Sequence, residues 1–107
     1  MGMDFTELQK LLWKEYTKNA YDTTWNAGGK LADLGELGLI VTEIAEGMEE
    51  LRNKDYDEDK FMFECADIII RTLNLMRRMS GKFNAENYIT KKHLINLKRG
   101  KLHGRGI

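Results

Sequence analysis

The sequence has no proline, one cysteine and two histidines in 107 residues. Without proline the commonest helix breaker is missing, so long helices meet no local obstacle. The lone Cys65 excludes an intramolecular disulfide and suits an intracellular, cytoplasmic setting. It stands among core-type residues, far in sequence from both histidines, and is a poor candidate nucleophile. No apolar run is long enough to span a membrane, and no secretory signal is expected.

What is present describes one helical domain over residues 1–107. The 42% hydrophobic and 32% charged content allows a core of modest size. The zero net charge hides an asymmetry. Residues 1–90 carry all 17 acidic side chains against 11 of the Lys and Arg, whereas residues 91–107 carry six basic side chains and no acid. An acidic body with a basic tail suits an anionic ligand brought to a bound cation. A tail lying on the acidic surface is the plainer alternative. Nucleic-acid binding is disfavoured, because the pI is near neutral and no other basic stripe exists.

Apolar periodicity predicts four helices. The first covers about Asp4 to Thr23, opened by a capping box of Asp4 and Glu7. Asn26-Ala27-Gly28-Gly29 interrupts the pattern. A second helix covers about Leu31 to Lys54, with Leu37, Val41, Ile44, Met48 and Leu51 at heptad-like spacing. After the turn Asp55-Tyr56-Asp57, a third runs from Glu58 to Ser80 and stops at Gly81. Its residues are apolar almost all round, so it needs cover on every side, and a homodimer burying part of helices two and three is expected. Asn84 is placed to cap a fourth helix reaching about Lys98.

Within the two most apolar helices stand two acidic pairs, Glu43-x-x-Glu46 and Glu64-x-x-Asp67. Residues three apart share a helix face, so each pair sets two carboxylates side by side. Glu64, Asp67, Arg71 and Asn74 continue as one polar stripe, and Glu43, Glu46 and Glu50 as another. Two antiparallel helices joined by a short turn can face these stripes toward each other. A lone E-x-x-E is more simply a solvated helix face. Two doublets inside apolar helices favour a cation, since gathered carboxylates are costly to bury without one. Oxygen donors with no sulfur or imidazole nearby suit Mg2+, or Mn2+.

Gly47 beside Glu46 fits a close approach of the helices, because a mid-helix glycine costs roughly 1 kcal/mol relative to alanine. Gly35 and Gly38 are candidates for the same purpose. A ferritin-type di-iron site is excluded, since neither helix has a histidine. Gly28-Gly29-Lys30 is not a phosphate loop, as Thr24 occupies the position of the required earlier glycine. A glycosidase would need its two carboxyl groups across an open cleft.

Taken together, the segment Leu39 to Arg52 and the segment Glu64 to Arg71 resemble the MazG-type all-α nucleoside triphosphate pyrophosphohydrolases, whose signature is E-x-x-E followed by E-x-x-D. Lys92, Asn96, Arg99 and His103-Gly104 are similar to the ending of many small members. The resemblance extends from about Leu31 to Gly104. It departs at Asn74, where many members have Asp, and after Arg99, where Pro often follows.

The resemblance implies an oligomeric four-helix MazG-like bundle that hydrolyses a nucleoside triphosphate to the monophosphate and pyrophosphate. Glu43, Glu46, Glu64 and Asp67 would hold Mg2+, and Glu46 or Glu50 would accept the proton of the attacking water. Arg71, Lys92 and Arg99 would hold phosphates, Asn96 would contact ribose or base, and His103 the phosphates or leaving group. Trp25 is a candidate for stacking on the base, or else covers the end of the bundle. A homodimer or tetramer is expected. The related phosphoribosyl-ATP pyrophosphohydrolases and a non-catalytic helical interaction module are the alternatives.

Overall fold

The computed structural model describes residues 2–17 and 29–100. Among them the chain is all-helical: α1 Phe5–Thr17, α2 Gly29–Arg52, α3 Glu58–Ser80 and α4 Ala85–Arg99. The expected end of the first helix, together with Trp25, lies outside the described residues, as does His103.

Local chemistry explains most of the boundaries. The capping box at α1 is complete: Asp4 Oδ1 accepts from the Glu7 N–H at 2.8 Å, and Glu7 Oε1 accepts from the Asp4 N–H at 3.0 Å. Asp57 caps α3 in extended backbone, its carboxylate accepting from the N–H groups of Asp59 and Lys60. Gly81 ends α3 in the left-handed region at φ 72°, donating its N–H to the Arg77 carbonyl.

At α4 the expectation needs correction. Asn84 precedes the helix, but its side chain makes no capping bond and instead accepts from the Ser80 hydroxyl. A residue of α1 takes over. Gln9, fully buried, accepts the N–H of Ala85 at 3.4 Å and donates to the Leu73 carbonyl at 3.3 Å. One amide thus ties α1 to the body of α3 and satisfies an otherwise orphaned donor at the start of α4.

α2 and α3 form an antiparallel hairpin, with early α2 residues facing late α3 residues: Asp33 meets Arg78, Glu36 meets Arg71, and Gly47 meets Phe61. α1 lies across α3, where Trp13 and Ile68 pack on the buried pair Ile40 and Leu75. The Arg77 guanidinium sits between the Trp13 and Phe83 rings, 4.8 and 4.7 Å from their centroids.

The apolar heptad stripe of α2 does not form the hairpin's interior. Leu37, Val41, Ile44, Met48 and Leu51 are all exposed, as are Met62, Phe63 and Ile69 of α3. The face turned inward is neither that stripe nor the Glu43–Glu46–Glu50 stripe but the one carrying Asp33, Glu36, Ile40, Glu43 and Gly47.

Candidate metal centre

Along α2, Asp33, Glu36, Ile40, Glu43 and Gly47 recur at alternating steps of three and four residues, which keeps them on one face. Opposite them α3 presents two arginines. Arg78 pairs with Asp33. Arg71 Nη1 lies 3.3 Å from Glu36 Oε1, and Arg71 Nε lies 3.8 Å from Glu43 Oε2. Ile40 supplies apolar contact between these charged steps, against Leu75 and Ile68.

Where the arginines stop, the carboxylates converge. Glu43, Glu64 and Asp67 each offer an oxygen, and the three oxygens lie within 4.8 Å of one another. Glu43 and Glu64 are half-buried and Asp67 is exposed, so the cluster opens to solvent on one side. The Glu64 carboxyl is held above the ordinary glutamate range. A hydrogen bond to Glu43 is the main cause, followed by burial and by the negative charge of Glu43, Glu46 and Asp67. Glu64 Oε1 is buried without a hydrogen-bond partner among the described residues. A buried carboxylate oxygen ordinarily has one.

That donor set fits a hard divalent cation. It is all oxygen and mixes exposed with half-buried carboxylates. α2 lies close to α3 at Gly47, but the glycine is not what permits it. A Cβ there would stand 3.8 Å from the Phe61 ring and 3.9 Å from Glu64 Cβ. Gly35 and Gly38 have nothing within 4 Å of an added Cβ, so they mediate no close approach among the described residues.

The residues singled out from sequence divide into three groups. Glu43, Glu64 and Asp67 come together. Glu46 is exposed, close enough for its charge to act on Glu64 yet outside the trio. Glu50 points to the α2–α3 turn, where it accepts the Asp57 N–H at 2.8 Å. Arg71 spends its guanidinium on Glu36 and Glu43.

The α4 residues stand apart from the carboxylates. Lys92 and Asn96 line a groove with Met76, Tyr88, Ile89 and His93. Met76 follows Asp67 by nine residues, about two and a half helical turns. The groove therefore lies on the opposite side of α3 from Asp67 and about a third of a turn round from Glu64. Arg99 is exposed at the end of α4.

Glu36 was not anticipated from sequence. It is 2% exposed and its partner is Arg71. The signal was present in the backward extension of the Glu43 stripe to Glu36 and Asp33. Arg71 and Arg78, seven residues apart on α3, matched it. Compared with models of known families, with curated proteins and with solved structures, the chain has no match.

Proposed function

We propose that the protein is a Mg2+-dependent (deoxy)nucleoside triphosphate pyrophosphohydrolase, releasing pyrophosphate and the nucleoside monophosphate. The observation that carries this reading is the convergence of Glu43, Glu64 and Asp67 from two helices, with one oxygen of each within 4.8 Å of the others. These three residues would hold the cation, with Glu46 at the margin. Mn2+ suits the same oxygen set.

A divalent ion bound there supplies charge neutralisation at phosphate oxygens and acidifies a bound water. The protein's own groups do the rest. Glu46, exposed and near enough for its charge to act on Glu64, would take the proton of the attacking water. Glu50, engaged by the Asp57 amide, serves the turn better than the chemistry. Lys92 and Arg99 carry the charge needed to hold phosphates, and Asn96 offers donor and acceptor to ribose or base.

Because the α4 groove faces away from the carboxylates of its own chain, a homo-oligomer is part of the proposal. A second copy brings its α4 to this centre and covers the exposed stripe from Leu37 to Leu51. The same exposed stripe is what favours the competing reading of a non-catalytic helical interaction module.

Pyrophosphate release separates these readings. A panel of canonical and damaged nucleotides, assayed with Mg2+ supplied or withheld, is expected to show metal-dependent turnover of a triphosphate. Glu64→Gln is expected to abolish it with helicity intact. No release from any nucleotide, with Mg2+ leaving the melting temperature unchanged, overturns the proposal. Turnover of phosphoribosyl-ATP alone would identify the related pyrophosphohydrolase instead.

A further inference from the structure

We infer that Glu36 and Arg71 form a positioning pair that sets the cation affinity of the carboxylate centre through Glu43. The inference rests on the metal reading above, but on residues outside the proposed ligand set.

Glu36 is almost fully buried, with only 3% of its side chain exposed, and it meets the Arg71 guanidinium at 3.3 Å. A carboxylate so placed is expensive to keep ionised without its partner. Arg71 also reaches forward. Its Nε faces Glu43 Oε2 at 3.8 Å, beyond ordinary hydrogen-bond length but well within strong Coulombic range.

One guanidinium therefore spans two carboxylates of α2 that lie two helical turns apart. The nearer, at Glu36, anchors it, and the farther, at Glu43, opens onto the cluster. Glu36 neutralises the cation that would otherwise sit uncompensated beside a divalent-ion site. It also holds the guanidinium back, so that Glu43 keeps an oxygen for Glu64 and Asp67. Arg71 in turn gives Glu43 a fixed counter-charge.

Isothermal titration with Mn2+ alone, on full-length chain and without nucleotide, tests the pair. Glu36→Gln keeps the shape and an acceptor for Arg71 but removes the neutralising charge. It is expected to weaken Mn2+ binding by roughly fivefold or more. The double variant Glu36→Gln/Arg71→Gln removes both charges and is expected to recover affinity to within about twofold of wild type. The melting temperature, read beside it, separates the roles: a purely structural pair would lose Mn2+ affinity only in step with lost stability, whereas the charge role weakens binding in Glu36→Gln at temperatures where that variant is fully folded and restores it in the double variant.

Glu64→Gln serves as the control for the site. Wild type binding Mn2+, Glu64→Gln not binding, and Glu36→Gln binding as wild type overturns the positioning role alone. Wild type failing to bind Mn2+ overturns the metal reading and this inference with it. If Glu36→Gln fails to fold, the double variant decides: affinity reduced fivefold or more overturns the pair, and affinity near wild type supports it.

Discussion

Gly47 on α2 lies so near Glu64 on α3 that a Cβ built on the glycine would stand 3.9 Å from the glutamate's own Cβ. That is ordinary van der Waals contact, with room for a methyl group and little beyond it. Gly47→Ala is therefore expected to be stabilising by up to about 1 kcal/mol, because it removes the helix-propensity cost of glycine without a clash. Gly47→Leu would wedge Phe61 and Glu64 away from α2 and is expected to cost about 1–3 kcal/mol. Urea denaturation of the two variants beside wild type measures both. A destabilised alanine variant would contradict the stated spacing.

The amide of Gln9 is expected to matter more than the residue whose position marks it as a cap. Gln9→Ala leaves the buried Ala85 N–H and Leu73 carbonyl short of a partner, at about 1–3 kcal/mol of stability. Asn84→Ala removes no bond to the helix backbone, and a change within about 0.5 kcal/mol is expected. Equal losses in chemical denaturation would show that α4 is capped locally after all.

The contribution of Glu64 to stability without metal should fall with rising pH. The folded chain holds the Glu64 proton to higher pH than the unfolded chain does. The contribution of this group is complete below the unfolded value of about 4.3 and is lost as pH climbs through the raised folded value. Urea midpoints of chelator-treated protein are expected to drop across that window. Glu64→Gln should flatten the trend. Mg2+ should stabilise increasingly as the carboxylates ionise, and a metal-independent profile would count against the centre.

The exposed apolar stripe leads to an expectation about assembly. Val41 is 62% exposed, Met48 50% and Phe63 71%, a grouping that a monomer of this size rarely leaves in water. Sedimentation velocity is expected to find a dimer or larger species of the 12.4 kDa chain. Val41→Glu/Met48→Glu should shift it toward monomer while far-ultraviolet dichroism stays helical. A wild-type chain that sediments as a monomer at micromolar concentration would remove the oligomeric part of the proposal.

Sequence alone determined the helices and most of their ends, because that information is local. The 3.6-residue period, the absence of proline, the Asp4–Glu7 box, Asp57 and Gly81 all act within one turn of where they stand. The antiparallel pairing of α2 and α3 was also legible, since a five-residue turn between long helices makes a hairpin nearly obligatory, but of the Glu43–Glu46–Glu50 stripe only Glu43 meets the α3 carboxylates.

Only the tertiary structure decided which face of α2 turns inward. Its acidic and apolar stripes share one period and stand about a quarter turn apart on the same helix. Hydrophobicity by itself would have buried Val41 and Met48. The acidic face goes in because distant arginines meet it: Arg71 reaches Glu36 across 35 positions of chain, and Arg78 reaches Asp33 across 45. The capping of α4 by Gln9, across 76 positions, is of the same kind. Local pattern shows that a carboxylate or an amide sits on a given face. Whether its cost of burial is offset depends on a partner that only the folded chain brings within reach.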